Sequence, residues 1–257
     1  MSLEGRVALV SGGGRGVGAA IAVALAEDGA DVAVNYRKDA DSAAEVVAKI
    51  EALGPRAKAY RASVDRFEED QAMVEAVIAD FGHIDILVNN AGIASRGQTV
   101  EKTDPDELDR VLRIHAYGSH YLSKLVIPHM KKRERGDIVM ISSIATELQN
   151  AGGAPYNMAK CAIDALALTL AKEVRHHGIH VNIVAPGLVE TEMGRRLVKG
   201  ASGIDDISVL HEHSPFGRVC QPEDVANVVR FFVSERAGYL TGERINVHGG
   251  GSAKAGW

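Results

Sequence analysis

The 257-residue sequence predicts an α/β fold: one domain, residues 1–257, built on a doubly wound parallel sheet with helices on both faces. Three observations carry that prediction. Short continuous apolar runs alternate with longer helical patterns along the chain, which is how strands buried on both faces and their crossover helices read. No linker, internal repeat or low-complexity run interrupts the alternation. Hydrophobic residues make up 46% of the chain and charged residues 25%, enough apolar surface for one large core and too much for a disordered chain.

The elements follow in order. Val7 to Val10 reads as a buried strand, Gly18 to Asp28 as an alanine-rich helix closed by Gly29, and Val32 to Tyr36 as the second strand of a first βαβ unit. Asp41 to Leu53 is a helix ended by Gly54, and Ala57 to Arg61 a weaker strand. Asp65 with Glu68 suggests a capping box for a helix ending at Phe81. Ile84 to Val88 is the fourth strand. Pro105 suits a helix start, and its pattern continues through Tyr121 towards Met130. Asp137 to Ile141 is the fifth strand, Pro155 to His177 a long helix, and Val181 to Ala185 and Arg244 to Val247 two further strands around a helix after Pro222. Only Gly187 to Pro215 lacks a clean period; it reads as an insertion over one end of the sheet, a candidate substrate lid.

Charge and cysteine content narrow the function classes. Lys and Arg number 29 against 34 Asp and Glu, a net charge of −5, which gives no general attraction to nucleic acid or anionic membrane. Cys161 and Cys220 are the only cysteines, no apolar run reaches bilayer length, and Met1 to Arg6 lacks a signal-peptide core, so the expectation is a reduced, cytoplasmic protein. His176, His177 and His180, and His211 with His213, lack the cysteines or carboxylates that would complete a metal site, and no metal is expected.

The 27 glycines are about a tenth of the chain, above the usual share of roughly 7%. Their densest run, Ser11-Gly12-Gly13-Gly14-Arg15-Gly16-Val17-Gly18, lies between the first strand and the first helix. Phosphate approaches backbone N–H groups closely where side chains are absent, and a helix N-terminus adds partial positive charge, so this place suits a dinucleotide pyrophosphate. The bland alternative is a tight turn. The second strand ends Asn35-Tyr36-Arg37, without the carboxylate that would bind a ribose 2′-hydroxyl; Arg37 and Arg15 instead suit a 2′-phosphate, pointing to NADP with NAD as the lesser alternative. Two solvated surface arginines are the competing reading. Tyr156 and Lys160 stand four apart on the long helix and share a face, where an ammonium would lower the phenol's pKa for proton transfer. An amphipathic rim has the same spacing.

Together these segments resemble the short-chain dehydrogenase/reductase family over nearly the whole chain, most of all its 3-oxoacyl-acyl carrier protein reductases. Ser11-Gly12 to Gly18 looks like its cofactor loop, Asn89-Asn90-Ala91-Gly92 like its fourth-strand motif, Tyr156-Asn157-Met158-Ala159-Lys160 like its YxxxK motif, and Pro186-Gly187 with Val189 and Thr191 like its segment over the nicotinamide. The resemblance implies a Rossmann-like sheet, a homotetramer, and a catalytic serine thirteen residues before the tyrosine, which is Ser143. Ser143 would bind the substrate oxygen, Tyr156 would exchange its proton, and Lys160 would hold the nicotinamide ribose. The implied function is NADPH-dependent reduction of a carbonyl, or oxidation of the secondary alcohol, with 3-oxoacyl thioesters first and sugar, hydroxysteroid or other alcohols as the alternative.

Departures from the family pattern shape the remaining expectations. His115 stands where the family has an asparagine that helps hold a relay water; an imidazole there would add a pH limb near its ordinary pKa of about 6.5, unless it is a packed core histidine. Ser63 replaces the aspartate before Val64, leaving both as adenine contacts. Lys132 and Arg133 match positions that dock an acidic carrier near the site mouth, while His177 replaces the other docking arginine. A dinucleotide-binding module without turnover is the reading from another class; intact Ser143, Tyr156 and Lys160 argue against it.

Overall fold

The structure is a computed structural model and describes residues 2–251. Seven parallel strands, β1 (Val7–Val10), β2 (Asp31–Tyr36), β3 (Ala57–Arg61), β4 (Ile86–Asn89), β5 (Gly136–Ile141), β6 (Ile179–Pro186) and β7 (Arg244–Val247), form one sheet in the order β3-β2-β1-β4-β5-β6-β7. The chain winds outward to β3 and returns at β4. The crevice at the carboxyl ends of β1 and β4 is therefore the switch point where such sheets bind ligands.

The helices α1 (Gly16–Glu27), α2 (Ala40–Leu53), α3 (Phe67–Phe81), α4 (Pro105–Leu112), α5 (Gly118–Met130), α6 (Ala145–Leu148), α7 (Ala154–Val174), α8 (Glu192–Ser202) and α9 (Pro222–Val233) complete the framework. Alternation along each strand divides the core. Ala8 and Val10 pack with Ile21, Leu25, Ile50, Val229 and Phe232 on the face covered by α1, α2 and α9. Val7 and Leu9 pack with Val77, Leu122, Val126, Ile163 and Leu170 beneath α3, α5 and α7. Among the described residues no helix is long and apolar enough to cross a membrane.

Three local expectations are corrected. The α3 cap is not the Asp65–Glu68 box: Arg66 is the N-cap without a side-chain bond, Asp65 accepts from Ser63 Oγ, and Glu69 reaches back to the Ser63 N–H at 2.8 Å. The helical run from Pro105 to Met130 is broken by a π turn at Arg113–Tyr117, and the widened turn holds His115 in the core. Within residues 187–215 lies α8, whose Val198 joins Ile207, Leu210 and Val219 in a small core of their own.

Candidate active site

The glycine loop turns between β1 and α1 under tight constraints. Gly12 has a φ of 61° and Gly16 one of 54°, a region favourable to glycine. A side chain on Gly18 would land on the Gly12 carbonyl and 2.5 Å from the Asn90 amide nitrogen. The N-cap of α1, Arg15, makes no side-chain cap bond, and no acidic residue occupies the first turn. The loop is thus a side-chain-free approach to an uncapped helix N-terminus, and Gly14, Gly16, Val17 and Gly18 fit a pyrophosphate there.

Asn35 supports this loop rather than facing a cofactor. It is buried, its Oδ1 accepts the Gly12 N–H at 3.1 Å, its main-chain carbonyl accepts the Gly13 N–H at 2.8 Å, and its Nδ2 donates to the Ala62 carbonyl at 3.1 Å. Tyr36 is half-buried and Arg37 exposed at the carboxyl end of β2. Asp39, the nearest following carboxylate, caps α2 through the Ser42 N–H at 3.1 Å and hydroxyl at 2.8 Å. Arg37 and Lys38 are both exposed beyond the strand end, beside the helix-capping Asp39. Arg15 pairs with Glu192 of α8 at 3.0 Å, and both are well exposed. Thr191 caps α8 by accepting the Gly194 N–H at 3.0 Å, and its methyl lies against Gly16, so residues 187–192 stand beside the loop. Val189 is buried and bridges to Cys220; Gly187 donates to the Val247 carbonyl at 3.0 Å, and Pro186 accepts from Ile144 at 3.0 Å.

The polar groups of Ser63 are engaged by Glu69 and Asp65, and Val64 is buried against Gly118, where its carbonyl and side chain leave no room for another Cβ. An adenine contact from the Ser63 side chain therefore competes with internal bonds. Asn89 turns inward to Ser123 Oγ and Met140 Sδ, both at 3.3 Å. Sequence reasoning missed its neighbour Asn90, whose Nδ2 donates to the Ser11 and Gly12 carbonyls at 2.9 and 3.2 Å, while Ser11 Oγ accepts the Asn90 and Ala91 N–H groups at 2.9 and 3.0 Å. The doubled asparagine was the available signal, but nothing local distinguishes which of the two faces the loop. Ala91 and Gly92 complete the strap.

Ser143 follows β5, and Tyr156 and Lys160 lie in the first turns of α7, so one crevice gathers all three. The Tyr156 hydroxyl hydrogen-bonds the Ser143 side chain, whose Oγ also accepts the Ala145 N–H at 3.1 Å. Lys160 is only 4% exposed; its Nζ donates to the Ile141 carbonyl at 2.7 Å and lies 5.6 Å from the Tyr156 ring centre. Burial pushes Lys160 down to about 8, against the favourable charge of Asp164. Burial also raises Tyr156 above its ordinary value, and the Ser143 hydrogen bond only partly opposes it. The expected lowering of the phenol by Lys160 is therefore not found: desolvation of the hydroxyl is the largest influence and raises its pKa.

His115 is 1% exposed, packs edge-on to Tyr156 at 5.5 Å, and sits against Gly92. Its Nε2 lies 3.0 Å from the Ile93 nitrogen and 2.8 Å from the Ile93 oxygen; Nδ1 has no partner among the described residues. Burial, then the nearby Lys160 charge, pushes its pKa down to about 3. Burial thus favours the neutral imidazole, which argues against the expected limb near 6.5. A second correction concerns Lys132 and Arg133. They precede β5 and so lie at the amino ends of the strands, the opposite end of the sheet from Ser143, where Arg133 Nε donates to Asp85 Oδ1 at 2.7 Å. Within one subunit they are not at the site mouth.

Known proteins share this architecture. A family model described as enoyl-(acyl carrier protein) reductase matches residues 12–252. The chain is 37% identical to the 3-oxoacyl-acyl-carrier-protein reductase of Staphylococcus epidermidis over 244 residues, covering 95% of this chain and 97% of that one. Among solved structures it is similar to a short chain dehydrogenase from Burkholderia cenocepacia in complex with NADP, with a TM-score of 0.87, 37% identity, and 97% and 98% of the two chains covered. It is also similar to a 7α-hydroxysteroid dehydrogenase complexed with NADH and 7-oxo glycochenodeoxycholic acid, with a TM-score of 0.90, 32% identity, and 99% and 97% covered.

Proposed function

Because the chain belongs to the short-chain dehydrogenase/reductase family, whose members act on CH–OH and C=O groups with a nicotinamide cofactor, we propose that it is an NADPH-preferring carbonyl reductase that runs in reverse as a secondary-alcohol dehydrogenase. The observation that carries this reading is the convergence of Ser143, Tyr156 and Lys160 at the carboxyl end of β5. When bound, the nicotinamide supplies the hydride. Ser143 Oγ hydrogen-bonds the substrate oxygen, and Tyr156 donates its proton to that oxygen as negative charge develops there. Burial raises its pKa, which keeps the proton on the phenol in the free site while making it a weaker acid. Lys160, with a pKa of about 8, stands beside it as a second proton-bearing group and a ribose anchor.

The residues that would hold the cofactor are Gly12, Gly14, Gly16, Val17 and Gly18 at the pyrophosphate, Arg15 and Arg37 at a 2′-phosphate, Tyr36, Val64, Ala91 and Gly92 along the adenosine half, and Pro186, Gly187, Val189 and Thr191 over the nicotinamide. Exposed Arg37 and the spent carboxylate of Asp39 support NADPH. For the substrate we favour 3-oxoacyl thioesters, on the likeness to the staphylococcal reductase. A bulky ketone is the second reading, favoured by the hydroxysteroid dehydrogenase likeness and by exposed Met193 and Leu197 on α8, in the segment proposed as the lid. Self-association is supported by a largely apolar surface of Ala116 and Tyr117 on the π turn, His120 and Tyr121 on α5, and Ala162 and Leu166 on α7; a tetramer is the family expectation.

The test follows NADPH and NADH oxidation with acyl carrier protein thioesters, short thioesters, ketones, quinones and sugars, for wild type and Tyr156→Phe. Tyr156→Phe is expected to bind NADPH normally and to lose turnover by a factor on the order of 10² or more. Retention of more than a tenth of the wild-type rate would sink the assignment, and NADPH binding without turnover on any substrate would favour a non-catalytic module.

A further inference from the structure

Arg244 opens β7, a hundred and one residues beyond Ser143, yet its guanidinium grips the turn that carries that serine. One terminal nitrogen donates to the Ser143 main-chain carbonyl at 3.2 Å and to Thr146 Oγ1 at 2.9 Å. The other donates to Asn246 Oδ1 at 2.5 Å and pairs with Glu147 on α6, which Asn246 also holds at 3.0 Å. The remaining nitrogen, Nε, lies 3.5 Å from Asp164 Oδ2, a mostly buried carboxylate. Asp164 is one helical turn beyond Lys160 on α7, and its charge favours the Lys160 ammonium.

We propose that Arg244 is a positioning residue of the active site: it clamps the Ser143 turn by its main-chain carbonyl and, by facing Asp164, sets the charge that Lys160 feels. The inference rests on the Ser143–Tyr156–Lys160 reading. A planar guanidinium can hold a carbonyl, a hydroxyl, an amide oxygen and a carboxylate at once, which an ammonium cannot, while its Nε makes no hydrogen bond among the described residues and meets Asp164 only as a charge at 3.5 Å. Burial is the largest influence on Lys160, and Asp164 is the neighbouring charge that opposes it. Tyr156 is protonated, His115 on the π turn is neutral, and β5 contributes only the Ile141 carbonyl.

The test separates charge from grip. The titration of Lys160 is read by ¹³C-lysine NMR, assigned with Lys160→Arg, and needs no turnover. Removing the positive charge in Arg244→Met moves the Lys160 midpoint up, and removing the negative charge in Asp164→Asn moves it down, each by about one pH unit. The double variant returns it near wild type, and Arg244→Lys leaves it in place. In turnover, Arg244→Met lowers kcat about tenfold with NADPH affinity unchanged, and Arg244→Lys recovers only part of that loss, because charge returns without the fork. Should Arg244→Met fail to fold, Arg244→Gln removes the same charge and takes its place in both readouts. One Lys160 midpoint shared by all variants, or kcat fully restored by Arg244→Lys, overturns the inference. A wild type that binds NADPH but turns over nothing overturns the proposed function instead, and the NMR arm still decides whether Arg244 governs Lys160.

Discussion

Asp70 places a carboxyl where folding disfavours its charge. It lies in the first turn of α3, fully buried, and neither oxygen has a hydrogen-bond partner among the described residues. A helix N-terminus favours an anion by roughly 1 kcal/mol, but burial outweighs this, and with Asp65 and Glu69 nearby it pushes the carboxyl up to about 8. In the unfolded chain the same group titrates near 3.9. Between about pH 5 and pH 7 the folded state therefore binds one proton more than the unfolded state, and stability falls by about 1.4 kcal/mol per pH unit on this account. Asp70→Asn keeps the shape and removes the titration. The variant's stability advantage should then grow by about 3 kcal/mol from pH 5 to pH 7, equivalent to a relative gain of about 5–10 °C in melting temperature for a chain of this size. Denaturant titrations of both proteins at pH 5, 6 and 7 read the difference directly. If the gap between the two proteins is the same at all three pH values, Asp70 is ionised or solvated in the folded state and the reasoning fails.

Further substitutions probe the site itself. His115→Asn should leave the shape of the pH–rate profile unchanged between about pH 5.5 and 8, since the imidazole is already neutral; loss of an inflection near 6.5 would show that it titrates. Arg37→Glu should weaken NADPH binding about 10- to 100-fold by isothermal titration and leave NADH nearly unaffected, and equal losses for both cofactors would remove Arg37 from the 2′-phosphate site. Gly18→Ala forces a methyl onto the Gly12 carbonyl and the Asn90 amide, so a cost of about 1–3 kcal/mol in stability and a clear loss of NADPH affinity are expected. Unchanged values for both would mean that the loop relaxes freely.

Much of this protein is readable from local pattern. The alternation of buried strands with helices placed all seven strands to within a few residues, because a parallel sheet covered on both faces leaves continuous apolar runs. The order of glycines after β1 marked the candidate phosphate loop, and the spacing of Tyr156 and Lys160 marked one helix face. What local pattern missed has a common cause. Asn35 and Asn90 sit in recognisable segments, but their amides are committed to Ala62 and Gly12, partners that only the sheet order brings close. The Asp65–Glu68 box failed because the Asp65 carboxylate accepts from Ser63 Oγ and the helix starts one residue later, with Arg66 as its N-cap.

The sequence alone determined the architecture, the family and the identity of the candidate proton-transfer set, since those depend on periodicity and on residues near one another along the chain. Tertiary structure decided the charge states and supports. Burial made His115 a neutral packing group and kept Tyr156 protonated. Winding of the chain brought Arg244 from the last strand onto Ser143. Desolvation and long-range hydrogen bonding act on distances in space, and a linear spacing rule contains neither.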